Sequence, residues 1–327
     1  MLTGWKAPSL SPSNKVVTDL LNIGIRFALY TNLMLLFGFP FFALYALKGA
    51  ERVRTNILPL RALICGLSAS GFAFSVLSIA AMTASMMGVS LLDVDLTSIS
   101  IMMFETPMGI AWLIRMIALL ATLVVAFRMH ATNGLPKLLF VTLASGVALS
   151  SVAWTGHGAA SEGTAGTAHL IADIAHLLGA GAWLGALAAL MIIVVRAAEA
   201  LDEAYLRMTH RLLKGFSVAG TIIVALVLGS GLMNSWMLVG AQNMLTFPVT
   251  LYGKLLIAKL LLFGVMLFLA AVNRCKLTPG FERALQNGAA STAMMQLRKS
   301  LAIELGIAVF ILGLVAWLGT LATPQSL

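Results

Sequence analysis

Charged residues are scarce in this sequence. Aspartate, glutamate, lysine and arginine make up only 10% of its 327 residues, whereas hydrophobic residues make up 60%. A soluble globular domain carries about 25% charged residues, so this composition excludes a soluble enzyme and a disordered chain. Cysteine is also scarce, because Cys65 and Cys275 stand far apart and neither belongs to a Cys-x-x-Cys pair. The sequence therefore implies no disulfide framework and no thiolate zinc site.

Long apolar runs dominate what is present. A helix needs about 20 mostly apolar residues to cross a bilayer, and the continuous rather than alternating runs exclude a β-barrel. Residues 1–14 are polar and contain Pro and Ser, which is not typical of a cleavable signal peptide. No loop is long enough for a soluble domain. We predict an all-α, polytopic fold with residues 1–327 as one integral-membrane domain and eight helices near 18–47, 61–87, 107–128, 136–156, 168–195, 212–238, 251–273 and 299–322.

Two connections are longer than the others, at 88–106 and 274–298. We predict both as loops, and the first contains a candidate interfacial helix at Leu96–Phe104.

The basic residues predict the orientation of the bundle. The chain carries a formal net charge of +9, and basic residues concentrate in the cytoplasmic loops of membrane proteins. The opposite connections carry none before Lys254 and hold Asp93, Asp95, Glu105 and Glu162 instead. We therefore predict that both termini face the periplasm, although Lys6 and Lys15 in the N-terminal tail weigh mildly against this. The net charge then indicates orientation and no nucleic-acid partner. Fifteen of the 21 basic residues lie in alternate connections: Lys48, Arg52, Arg54, Arg61, Arg128, Lys137, Arg196, Arg207, Arg211, Lys214, Arg274, Lys276, Arg283, Arg298 and Lys299.

A few ionisable residues fall inside the predicted spans or near their ends. Such groups are costly in hydrocarbon and normally face the bundle interior with a partner. One arrangement pairs Asp173 with Lys259 or with Arg115, and such pairs either serve a site or only fix helix packing. Arg26 and Lys254 are candidates for snorkelling to the membrane surface. The full set is Arg26, Arg115, Asp173, Lys254, Lys259 and Glu304.

Histidines cluster at the predicted outer face. The chain has five, of which His157 ends the fourth span and His169 and His176 lie on the fifth. The spacings of His169, Asp173, His176 and Trp183 are four, three and seven, so these residues share one helical face. Imidazoles that converge with a carboxylate predict a metal site, in which Asp173 is a ligand or orients an imidazole.

Methionine indicates which metal. Half of the 18 methionines fall near the predicted outward helix ends, and Met233 and Met237 share a face four residues apart. Thioether and imidazole together suit Cu(I). Each single methionine also has an ordinary explanation as a lipid-facing or gap-filling residue. We predict Met233 and Met237 as soft ligands beside the histidines.

Several motifs resemble the copper resistance protein D family of bacterial inner-membrane proteins. The similarity is strongest between about residues 150 and 280, and the first 100 residues match only as apolar helices. Ala186, where a second glycine is common, and Cys275 depart from the pattern. The motifs are GHG at 156–158, HLIADIAHLLGAGAWLGAL at 169–187, KGFS at 214–217, LGSGL at 228–232 with Asn234, LYGKLLIAKLLLF at 251–263 and AVNRCKLTP at 271–279.

This resemblance implies copper handling at the inner membrane, described for the family as uptake from the periplasm. It also implies a partner, a small periplasmic copper-binding chaperone of the copper resistance C type. The residues it carries over are His157, His169, Asp173, His176 and Trp183, with Tyr252 and Lys259 on the seventh helix.

Three functions remain open at this point. The first is a non-enzymatic copper transporter, with no nucleotide partner because the sequence lacks a GxxxxGK[ST] motif. The second is a redox protein that holds one haem b between histidines of the fourth and fifth helices. The third is a non-transporting receptor for a copper chaperone, docked through the acidic outer loop at Asp93, Asp95 and Glu105.

Overall fold

The computed structural model describes residues 12–129, 134–155, 163–200, 202–239, 247–287 and 290–322. Within these ranges the chain is helical and contains no strand, and eight helices are long and apolar enough to cross a membrane. The all-α, eight-span prediction is therefore confirmed. The helices are α1 Pro12–Ala46, α2 Leu60–Met87, α3 Leu96–Glu105, α4 Pro107–Phe127, α5 Gly134–Ser150, α6 Gly163–Ala200, α7 Glu203–Val239, α8 Leu251–Val272, α9 Thr278–Gln286 and α10 Ala290–Leu318.

The connections differ from the prediction in one place. The first long connection contains the short helix α3, which Asp95 caps by accepting a hydrogen bond from the Ser98 N–H at 3.2 Å. The predicted loop at 274–298 is wrong: a π-helical turn at Asn273–Leu277 joins α8 to α9, and α10 begins at Ala290. Polar residues in this segment are compatible with a helix as well as with a loop, because a helix outside the hydrocarbon can present a polar face to water.

The same effect lengthens α6 and α7. We predicted these spans to begin at residues 168 and 212, but the helices begin at Gly163 and Glu203. Charged turns such as the one that holds Arg207 and Glu203 in an ion pair lie beyond the apolar part of the helix.

The basic connections meet at one end of the bundle, which we call the basic end. Arg211 of α7 forms an ion pair with Glu51 of the α1–α2 connection at 2.6 Å, and Arg196 of α6 donates to the carbonyl oxygen of Thr55 at 2.8 Å. The eight spans alternate in direction, so α1 begins and α10 ends at the opposite end. We call this the histidine end, because α6 enters there and carries His169 in its first two turns.

Helices α1 and α6 form the centre of the bundle. They contact each other along their length, and each also packs on α5 and α10. Gly38 and Gly185 meet at their crossing: a Cβ atom built on Gly38 would lie 2.6 Å from the Cα of Gly185. The two backbones therefore touch, as small residues allow in membrane helices.

Two groups of helices flank this central pair. Helices α2, α4 and α5 pack on the α1 side, while α7 and α10 pack on α6, and α8 packs mainly on α10. Cavities remain on the second side, between α6, α7, α8 and α10. His176 and Lys259 line one of these cavities, Asn273 and Glu304 line another, and Trp183 lines both.

Candidate metal site

Helix α6 carries most of the predicted site. Small residues surround Trp183 on this helix, and they let α1 and α7 approach it closely. His169 and Trp183 are 3% and 4% exposed, and Asp173 and His176 are half-buried between them. The four side chains therefore lie on a helix whose surroundings exclude most solvent.

The His176 ring is held in one orientation. Its Nδ1 lies 3.2 Å from the carbonyl oxygen of Val227 and 3.2 Å from Oγ of Ser230, both on α7. A carbonyl oxygen can only accept, so Nδ1 carries the proton and donates. In the neutral ring Nε2 then keeps its lone pair, which is the arrangement found in most metal-binding histidines. Contact with Gly231 further restricts the ring, because a Cβ there would lie 3.1 Å from His176 Cε1.

Asp173 interacts with side chains of two other helices, through a hydrogen bond from α7 and electrostatically with α8. It accepts a hydrogen bond from Nδ2 of Asn234 at 3.2 Å and interacts electrostatically with Lys259. Asn234 stands four residues after Ser230, so one face of α7 serves both Asp173 and His176. We did not predict Asn234 or Ser230 as site residues. The sequence signal that could have identified them is their spacing, because Ser230 and Asn234 are polar and stand four residues apart in a mainly apolar helix.

A cavity of about 200 Å³ adjoins these side chains, and we call it the His176 cavity. His176 and Lys259 are the ionisable residues of its lining, and the rest is mainly apolar. The cavity has room for an ion with part of its hydration shell. Residues that define its walls include Ala180, Trp183, Ser235 and Phe263.

The remaining predicted ligands have different surroundings. His157 lies outside the described residues. Met233 is 36% exposed on the side of α7, and Met237 is half-buried one turn further on. Across the described ranges, no three His, Cys, Asp or Glu side chains are grouped closely enough to hold a metal ion on their own. A complete site would therefore need His157, methionine or other ligands.

The predicted supporting residues separate into two groups. Tyr252 is buried in a small apolar cluster with Val239 and Leu256. Arg115 is 1% exposed and interacts with Tyr30 of α1. Of the two partners that we considered for Asp173, Lys259 lies near enough to influence the carboxylate electrostatically, although within the described ranges the two form no ion pair at 4.0 Å or less. Arg115 lies on the other side of the central pair.

A second polar group surrounds Trp183. The indole Nε1 donates to Oε1 of Glu304 at 3.2 Å, and Nδ2 of Asn273 donates to Oε2 of the same carboxylate at 2.9 Å. Glu304 is 1% exposed. The sequence identified Glu304 as a buried charge, but we did not predict Trp183 as its partner, because the two residues are 121 positions apart.

Comparison with known proteins identifies the family. The model described as "Copper resistance protein D-like, N-terminal domain" matches residues 17–167, and the model "Copper resistance protein D" matches residues 210–318. The chain is 44% identical to "Copper resistance protein D" of Pseudomonas syringae pv. tomato, over 93% of its own length and 97% of that protein. The chain belongs to the copper resistance protein D family.

Other relatives agree with this assignment. The chain is 32% identical to "Inner membrane protein YebZ" of Escherichia coli (strain K12), over 79% of the chain and 84% of that protein. It is 30% identical to "Copper transport protein CutJ" of Bacillus subtilis (strain 168), over 52% of the chain and 31% of that protein. No solved structure matches the chain. This copper resistance protein D family member is a multi-pass protein of the inner membrane.

Proposed function

We propose that this protein binds copper ions at the histidine end of its bundle and passes them across the inner membrane. The observation that carries the proposal is the His176 ring, whose Nδ1 is tied to Val227 and Ser230 while the side chain lines a cavity. A ring in this state presents Nε2 to a soft or borderline cation. The family and the name of the relative CutJ supply copper as the cation.

His169, Asp173 and His157 complete the proposed binding group. His169 and His176 are seven residues apart, which is about 10 Å along a helix, so one ion binds to one of them at a time or moves between them. Asp173 contributes the negative charge that offsets Lys259 in the same region. His157, Met233 and Met237 remain predicted ligands, and we propose Cu(I) as the bound form because thioethers and imidazoles favour it.

The histidine end faces the periplasm in this proposal. Arg196 and Arg211 meet the α1–α2 connection at the basic end, and basic loops remain in the cytoplasm. Reporter fusions test this orientation: alkaline phosphatase joined after residue 322 is active only if that end is periplasmic. An inactive phosphatase fusion, together with a fluorescent cytoplasmic reporter at the same position, would reverse the orientation.

Copper binding is tested on the purified protein in detergent. Bound metal is measured by elemental analysis for wild type, His176→Ala and His169→Ala, with His210→Ala as the matched control. His210 lies at the basic end against Glu282 and Phe281, so its loss should leave copper binding unchanged. Equal copper content in His176→Ala and wild type would contradict the proposed site.

Transport is tested separately in sealed vesicles. Copper ions should enter vesicles that contain wild-type protein faster than empty vesicles, and His176→Ala should reduce this rate. An intact site with no entry above empty vesicles would favour the receptor alternative. For that alternative, Asp93, Asp95 and Glu105 are exposed at the histidine end, where a basic surface of a periplasmic copper-binding chaperone could dock. We propose such a chaperone as the source of the ion.

The haem alternative has less support. A bis-histidine haem needs histidines on facing helices, whereas His169 and His176 both belong to α6. Haem binding would therefore require His157, outside the described part of the chain. A Soret band with stoichiometric iron in the purified protein would establish haem against the copper proposal.

A further inference from the structure

Trp183 lies between two cavities. On one side is the His176 cavity; on the other is a cavity of about 580 Å³ nearer the basic end, which we call the Glu304 cavity. Among the described residues, Trp183 is the one side chain that lines both. It is 4% exposed, and its ring contacts Phe263 of α8 edge-on at 6.3 Å between centroids. The indole is therefore the wall that the two spaces share, and Phe263 packs against it on the side of the His176 cavity.

The Glu304 cavity contains a carboxylate without a cationic partner. Trp183 and Asn273 each donate one neutral hydrogen bond to it. Within the described ranges, no Lys, Arg or His nitrogen lies within 4.0 Å of this carboxylate. An isolated negative charge in a membrane interior is costly, and a bound cation would offset this cost.

Two further ligand atoms belong to the same cavity. Oδ1 of Asn273 is buried and has no hydrogen-bond partner among the described residues, while Nδ2 of that amide donates to Glu304. The amide oxygen is therefore an unused acceptor next to the carboxylate. Cys275 also lines the cavity, and its thiol is free and exposed. Arg274 lines the cavity as well, and it donates to Oγ1 of Thr221 at 2.5 Å.

We propose that Glu304, Asn273 and Cys275 form a second, transient cation site, and that Trp183 is the gate between it and the His176 cavity. The proposal rests on the copper transport proposed above. Oxygen ligands hold Cu(I) only weakly, and a thiolate holds it more strongly. A site of intermediate strength suits an ion that must leave again. The ion would pass from His176 to Glu304, a displacement along α6 of about 10 Å between His176 and Trp183.

The cation site is tested by copper binding and copper flux in the same preparations. Glu304→Gln keeps the shape of the side chain and an acceptor for the indole but removes the charge. We expect its copper binding at the His176 site to equal that of wild type, while copper entry into sealed vesicles falls about tenfold or more. Cys275→Ser should also slow entry, whereas the matched control Cys65→Ser on α2 should not. Wild-type flux in both Glu304→Gln and Cys275→Ser would overturn the second site.

The gate is tested without copper, by labelling cysteines with a membrane-impermeant maleimide. Cys275 reports on the Glu304 cavity in a Cys65→Ser background, and Ala308→Cys reports on the His176 cavity when both native cysteines are serine. We expect Cys275 to react only from the basic end and the residue 308 thiol only from the histidine end. Trp183→Ala should let each thiol react from both ends, and Trp183→Phe, which keeps a ring there, should preserve the separation.

A control variant and the two readouts separate the possible failures. Trp317→Ala removes a 40% exposed tryptophan from α10 and should leave the labelling pattern unchanged. Suppose that wild type moves no copper, that each thiol reacts from one end only, and that Trp183→Ala makes each thiol react from both ends. Transport is then refuted and the gate stands. If wild type moves copper but both thiols react from both ends while Trp183 is intact, the gate is refuted and transport stands.

Discussion

The contact between α1 and α6 predicts a large loss of stability from a single methyl group. In Gly38→Ala, the new Cβ would lie 2.6 Å from the Cα and 2.9 Å from the N of Gly185, and closer still to the carbonyl oxygen of Gly181. Ordinary contacts of this kind are 3.4–4 Å. The helices must therefore separate by about 1 Å, and no rotamer change can relieve a clash between backbones.

The magnitude follows from the cost of overpacking. Extra methylenes in a packed interior cost about 1–3 kcal/mol, occasionally more, and a clash with backbone belongs at the upper end. A loss of about 3 kcal/mol changes the ratio of folded to unfolded protein by a factor of about 150. For a chain of 327 residues it lowers Tm by about 4 °C, because the entropy of unfolding grows with chain length.

The assay is thermal unfolding in detergent, followed by circular dichroism. Gly24→Ala is the matched control, because it lies on the same helix and a Cβ there meets nothing within 4 Å. The control should leave Tm unchanged or raise it slightly, since alanine favours a helix over glycine. Equal Tm values for Gly38→Ala and Gly24→Ala would show that the α1 and α6 backbones do not touch.

Three further outcomes follow from the structure. Burial alone raises the pKa of Glu51, but hydrogen bonds from Arg211 and the Lys48 N–H outweigh burial and lower the pKa from 4.5. Because the folded protein favours the ionised carboxylate, this interaction stabilises the fold above about pH 4.5. This stabilisation is lost as pH falls through the lowered pKa, so the Tm difference between wild type and Glu51→Gln should shrink in acid. Copper binding should also weaken in acid once the histidine ligands protonate, because imidazolium cannot bind a metal. Equilibrium dialysis from neutral pH down to the lowest pH at which the protein stays folded checks this, and unchanged affinity over that whole range would contradict histidine ligands. Arg115→Met should keep or raise Tm, because Nε and Nη1 of this 1% exposed side chain have no hydrogen-bond partner in the described part of the chain. A large fall in Tm would show that the guanidinium is fully paired.

Part of the candidate site was predictable from the sequence and part was not. The four-, three- and seven-residue spacings put His169, Asp173, His176 and Trp183 on one side of a helix, because an α-helix repeats every 3.6 residues. No local pattern joins Trp183 to Glu304 or Asp173 to Asn234. The first two residues are 121 positions apart along the chain and the second two are 61 apart, and each pair belongs to two different helices. Such pairs depend on which helices are neighbours.

The sequence by itself determined the environment and the spans of this protein. Hydrocarbon admits backbone polar groups only when they are paired within a helix or a closed barrel, so eight long apolar runs lead directly to eight helices. Because the apolar runs also define the connections between them, the sequence alone showed that basic residues concentrate in alternate connections. Only the tertiary structure decided how the helices are arranged, because lipid-facing and buried apolar residues look alike in sequence. That arrangement set α1 against α6 at Gly38 and Gly185, tied His176 to α7, and left cavities on the two sides of Trp183.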